Sequence, residues 1–83
     1  MKSLSDLKVG ELCTVEKISN CGNMQRRFID IGLIEGTTVE CVGASPAKDP
    51  KAYLIRGAVI AIRSEDCAGI LVKPETEWYY GTD

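Results

Sequence analysis

Four cysteines, at positions 13, 21, 41 and 67, and twelve carboxylates are the side chains of this sequence best suited to hold a metal or attack a substrate. A zinc-finger type of centre draws its ligands from close Cys or Cys/His pairs. Here no two cysteines form a C-x-x-C pair, and the chain has no histidine. Cys13, Cys41 and Cys67 fall in apolar runs, where a thiol acts as a small hydrophobe. Cys21, in Asn20-Cys21-Gly22-Asn23, falls in a turn and is expected to be exposed. Without histidine the commonest general base is missing, and with it the His-assisted Ser and Cys nucleophiles. No G-x-x-x-x-G-K-[ST] loop and no G-x-G-x-x-G is present. Glu65 and Asp66 follow Ser64 and read as charges at a helix start rather than an acid/base pair. The residues predict a binding domain and not an enzyme, with no catalytic, cofactor-binding or metal-ligating set.

The balance of charge narrows the partner. Formal net charge is −2, whereas phosphate neutralisation, the main source of affinity for nucleic acid, needs a basic excess. Between residues 48 and 63, Lys48, Lys51, Arg56 and Arg63 outnumber Asp49. After Arg63, Glu65, Asp66, Glu75, Glu77 and Asp83 face Lys73 alone. A basic middle and an acidic end suit a protein partner better than a polyanion. No apolar run approaches the roughly 18 residues of a membrane span, and the start of the chain alternates too quickly for a signal-peptide core. The expectation is a cytoplasmic protein with free thiols and no membrane insertion.

These groups need a scaffold, and 83 residues supply one core rather than two. Ser3 and Asp6 have the spacing of a capping box, which opens a short helical turn that docks Leu4 and Leu7. A first strand is predicted over about 11–18, with Cys13 and Val15 on one face. Asn23 reads as the N-cap of a helix over about 24–31, where Met24, Phe28 and Ile31 form the core stripe and Arg26 faces Asp30. Gly32 reads as its left-handed C-cap. Strands are predicted over about 37–44, 53–56, 58–63 and 70–73. A proline-bearing loop covers 45–50, and a helical turn over 64–68 is predicted with Ser64 as its cap and Gly69 ending it. Five short strands without a long crossover predict a mainly β fold, a small closed antiparallel barrel with short helical insertions. The barrel domain is assigned to 1–74. An acidic, aromatic tail, 75–83, carries Trp78, Tyr79 and Tyr80 and is expected to serve association rather than folding.

One stretch is more specific than barrel logic. Arg26-Arg27-Phe28-Ile29-Asp30-Ile31-Gly32-Leu33-Ile34-Glu35-Gly36-Thr37 resembles the arginine-pair and glycine signature of the FeoA family. Val39, Ser45-Pro46, Asp49-Pro50, Arg56-Gly57 and Ile60-Ala61-Ile62-Arg63 continue the match in order, as do Leu4, Leu7, Gly10 and Glu11 before it and Ile70 and Val72 after it. Lys48 and Ser45 depart from the family's usual residues. The resemblance implies an SH3-like barrel. It also implies a cytosolic accessory protein that regulates or assembles a FeoB-like importer, a membrane protein with a GTP-binding domain that takes up ferrous iron. The alternative it leaves is an iron carrier or sensor that binds metal directly through Cys21 and carboxylates. One exposed thiol without imidazole makes a poor ferrous site, so binding no tighter than about micromolar is expected.

The partner-binding residues expected from this sequence are Arg26, Asp30 and Leu33 around the helix end, with Pro46, Asp49 and Pro50 forming a second, stiff loop. Leu33 is placed here as an exposed leucine in a turn with little to bury against, beside a guanidinium. The protein is expected to be a monomer or a weak homo-oligomer.

Overall fold

The computed structural model describes residues 2–47 and 49–74. The tail assigned to 75–83, with its three aromatic side chains, lies outside the described residues.

Alternating side chains make most of the strands. In β2 (Leu12–Ile18) Cys13 and Val15 are buried. In β3 (Thr38–Ala44) they are Val39 and Cys41, in β4 (Lys51–Ile55) Tyr53 and Ile55. β5 (Ala58–Ile62) buries Ile62, and β6 (Ile70–Pro74) buries Ile70 and Val72. A period of two puts each of these on one face. A two-residue strand, β1 (Lys2–Ser3), precedes a 3-10 turn at Leu4–Asp6. The capping box predicted there is present, with the Ser3 amide donating to the Asp6 carboxylate at 3.2 Å.

The strands form one antiparallel sheet in the order β1-β6-β2-β3-β4-β5. Register shifts between Val15 and Lys17 and between Cys41 and Gly43 bend the sheet into a barrel-like curl. The fold is mainly β, as predicted, but the sheet has six strands and does not close. β1 and β5 remain as its two edges. β1 is too short to show any periodicity in sequence, and helices rather than a further strand pairing contribute at the gap. Helix α1 (Gly22–Asp30) inserts Phe28 into the core, and the one-turn helix α2 (Ser64–Cys67) inserts Cys67.

Both helices start differently from the sequence expectation. α1 begins at Gly22, with Cys21 rather than Asn23 at the cap. Asn20 anchors the approach, its amide donating 3.2 Å to the Asp66 carbonyl. α2 has Arg63 at its cap position, and Ser64 is its first residue.

Candidate functional site

The end of α1 decides what this region can present. Gly32 has φ +86, its amide bonds the Ile29 carbonyl at 3.0 Å, and the Leu33 amide bonds the Phe28 carbonyl at 2.8 Å. This pair of bonds is a Schellman motif, in which the residue after the glycine folds back onto the last turn of the helix. Leu33 is therefore fully buried, in one core with Phe28. The expectation of an exposed Leu33 is corrected: the turn is not a place without apolar neighbours, because the motif itself brings position 33 against position 28.

Other side chains complete the turn. The Thr37 hydroxyl donates 3.1 Å to the Gly32 carbonyl and accepts from the Ile34 amide at 3.2 Å. Arg56 Nε also reaches the Gly32 carbonyl at 3.2 Å. Gly36, at φ +89, donates to the Val15 carbonyl at 2.8 Å and pins the turn to β2.

Arg26 and Asp30 are exposed on the outer face of α1, as expected, and border a shallow depression with Gln25 and Ile29. The expected Arg26–Asp30 pair is not formed. The ion pair among the described residues joins Arg63 and Glu65 at 3.6 Å, and neither Arg26 nor Arg27 forms one there. Two apolar side chains supply the area once assigned to Leu33: Ile29 is 54% exposed and Ile34 40%. Their sequence signal was available, since Ile29 is off the Met24/Phe28/Ile31 stripe.

The loop at 45–50 has a structural duty. Ser45 Oγ donates to the Asp49 carbonyl at 2.8 Å and accepts from the Asp49 amide at 3.0 Å, which closes the loop on itself. Asp49 Oδ1 accepts from the Ser64 amide at 2.9 Å and the Ser64 hydroxyl at 3.2 Å, so it satisfies the start of α2 from outside that helix. Pro46, Asp49 and Pro50 are exposed, yet none of them borders the depression at Arg26 or the deeper groove beside α1.

That groove was not foreseen. It lies between α1 and β5, with a volume of about 430 Å³ and Met24, Phe28, Ile31 and Ile60 along it, and its charged lining is mixed, Arg27 and Arg63 with Glu65 and Asp66. Its halves are at least 29 residues apart in sequence, from Ile31 to Ile60, and no local pattern joins them.

The cysteines divide as expected: Cys13, Cys41 and Cys67 are buried and Cys21 is exposed. Burial pushes the Cys67 thiol up to about 11. Burial, with the Cys67 contact, also raises the Tyr53 hydroxyl well above its usual range. Cys67 Sγ donates to the Tyr53 hydroxyl at 3.6 Å, which donates to the Leu4 carbonyl at 3.3 Å. Neutral and enclosed, these groups pack the core. Among the described residues no three Cys, Asp or Glu side chains converge on a point that could hold a metal.

The FeoA domain model matches residues 2–74. The chain belongs to the FeoA domain family. Over 70 residues it is 30% identical to the Fe(2+) transport protein A/Fe(2+) transporter FeoB fusion protein of Porphyromonas gingivalis, covering 84% of this chain and 8% of that one. The chain thus spans a small part of that relative's length. The solution structure of the FeoA protein from Chlorobium tepidum superimposes with a TM-score of 0.84 at 27% identity, covering 89% of this chain and 70% of that one. Zinc-complexed Stenotrophomonas maltophilia FeoA, described as a procaryotic SH3 domain protein, superimposes at 0.77 with 21% identity, covering 88% and 91%, and shares the fold. The family's glycines now have physical meaning in this FeoA domain: Gly32 and Gly36 occupy left-handed backbone at the two ends of the turn that buries Leu33.

Proposed function

We propose that this FeoA domain is a non-enzymatic, cytoplasmic accessory of a FeoB-type ferrous iron importer, and that it docks through the outer face of α1. The observation that carries the reading is the fusion of a relative's transport protein A and FeoB into a single chain. Joining two modules holds each at high effective concentration near the other, which is useful where the two associate.

The surface fits such a role. Arg26 offers a fork of donors that forms no ion pair among the described residues, and Ile29 and Ile34 add exposed apolar area on the same side of the domain. Arginine next to apolar anchors is the composition of interface hot spots. A rigid turn, tied to β2 and to Arg56, presents them with little left to order on binding. Iron handling by the domain itself has less support, since Cys21 is the single exposed thiol among the described residues.

The test is affinity for a detergent-solubilised FeoB-type importer, with Arg26→Glu and Ile29→Ser combined. The double variant should bind at least about 2 kcal/mol more weakly and keep its melting temperature. Unchanged affinity in the folded variant would remove this face.

A further inference from the structure

β5 ends the sheet and pairs with β4 alone. Ile55 and Ala58 face each other across the two-residue turn at Arg56-Gly57, so Ala58, Ile60 and Ile62 bond inward to β4. The amides and carbonyls of Val59 and Ala61 then point away from the sheet. No loop or cap bond reaches them among the described residues. The free edge stops at Arg63, whose carbonyl already accepts from the Asp66 and Cys67 amides at 3.0 Å each. Natural edges are guarded by charge, proline or a bulge. Ala-Val-Ile-Ala-Ile at 58–62 has none of these, its register with β4 is unbroken, and Val59 is 64% exposed. The opposite edge, β1, is guarded, being two residues long with Lys2 in it.

A segment that pairs here must offer donors and acceptors at two positions with one residue between them, and must fit the side chains of β5. The reversed sequence of β5 itself meets both conditions. Val59 and Ala61 lie symmetrically about Ile60. A two-fold axis through Ile60 therefore sets Val59 of one copy against Ala61 of the other, and each such pair exchanges both hydrogen bonds. The same register sets large against small: Ala58 meets Ile62, Val59 meets Ala61, and Ile60 meets Ile60 at the axis. Arg63 falls opposite Gly57 rather than a second arginine, and Glu65 offsets its charge at 3.6 Å. On the inner side, the groove between α1 and β5 leaves room for the incoming isoleucines. Its charges are mixed, Arg27 and Arg63 with Glu65 and Asp66, which suits an uncharged strand better than an acidic or a basic one.

We propose that two copies of this chain associate edge to edge through β5, antiparallel, with Ile60 on the two-fold axis. The sheet then runs continuously through both copies. β1 offers no template for a further copy, so the assembly stops at two. The contact is one strand wide, less than the roughly 1,200 Å² at which standard interfaces begin, and the dimer is accordingly weak.

The full-length protein is followed by sedimentation velocity and amide hydrogen exchange from micromolar to millimolar concentration. The expected result is a monomer–dimer equilibrium in which the Val59 and Ala61 amides exchange freely when dilute and gain protection as dimer forms. The Ile60 amide, bonded to β4, should be protected throughout. Val59→Lys puts a charge at an exposed edge position and should weaken the dimer at least about tenfold with the melting temperature unchanged. Oxidation in a Cys21→Ser background tests the register. Ile60→Cys should cross-link across the axis, where opposed Cα atoms are about 4.5 Å apart. Val59→Cys, though more exposed, should not, because its counterpart lies diagonally about 7–8 Å away. Four results would each overturn the proposal: a monomer throughout, Val59 and Ala61 amides already protected when dilute, a dimer indifferent to Val59→Lys, or faster cross-linking of Val59→Cys than of Ile60→Cys. The importer is absent from these experiments, so their failure leaves the docking face on α1 untouched.

Discussion

Arg56 and Gly32 clasp the β4–β5 turn to the end of α1. Arg56 Nε bonds the Gly32 carbonyl at 3.2 Å, and a Cβ at position 32 would stand 2.8 Å from Arg56 Cδ. Gly32 also sits at φ +86, and Arg56 and Gly57 at +50 and +84 give the hairpin its double left-handed turn. Gly32→Ala should then cost about 2 kcal/mol, combining left-handed strain with displacement of Arg56. Arg56→Ala should cost about 1 kcal/mol through the lost bond. Urea denaturation of both variants checks the pair, and Arg56→Ala should soften the penalty of Gly32→Ala.

Leu33→Ala should cost roughly 2–5 kcal/mol, as for other fully buried leucines. Ile29→Ser, on the exposed face of the same helix, should stay within about 0.5 kcal/mol of wild type. Equal losses at the two positions would contradict the placement of Leu33 inside and Ile29 outside.

Asp49→Ala should destabilise by about 1 kcal/mol, because the Ser64 amide and hydroxyl lose their acceptor at the start of α2. Hydrogen exchange should quicken at the Ser64 amide more than at amides of β2. A change confined to partner affinity would show that Asp49 works at an interface instead.

Thiol chemistry should separate one cysteine from three. Cys21 should label within the mixing time of a native sample, and Cys13, Cys41 and Cys67 at the rate of opening. Alkaline pH supplies a second check. Burial raises the folded thiol of Cys67 from 9.0 to about 11, so above pH 9 the unfolded chain releases a proton that the folded chain retains. Stability is then fully present below pH 9 and falls as pH climbs towards 11, with Tyr53 contributing in the same direction. A melting temperature flat from pH 8 to about 11 would contradict the enclosed, neutral pair.

Much of this fold was legible because its signals are local. Alternation marked β2, β3 and β6, and Gly32 marked the end of α1. What escaped depends on distance. β1 offers two residues and no period, yet Lys2 and Ser3 pair with Val72 and Leu71. β4 begins at Lys51, two residues before the expected strand, where the lysine ammonium donates to the Ser5 and Leu7 carbonyls at 2.9 Å each. At the site, Arg26 and Asp30 were readable from helical phase. Leu33 was misplaced because the Schellman fold-back is a tertiary consequence of Gly32, and the tie of Asp49 to Ser64 went unseen because the two are fifteen positions apart.

The account turns on recognition of a FeoB-type importer by α1. The most direct measurement is the dissociation constant of the full-length protein for that importer in detergent, for wild type, Arg26→Glu/Ile29→Ser and Leu33→Ala. The account predicts saturable wild-type binding and a loss of at least about 2 kcal/mol in the folded double variant. Leu33→Ala should lose affinity only in proportion to the fraction unfolded. Saturable binding to which Arg26 and Ile29 are indifferent, or no binding by the wild-type protein, would contradict it.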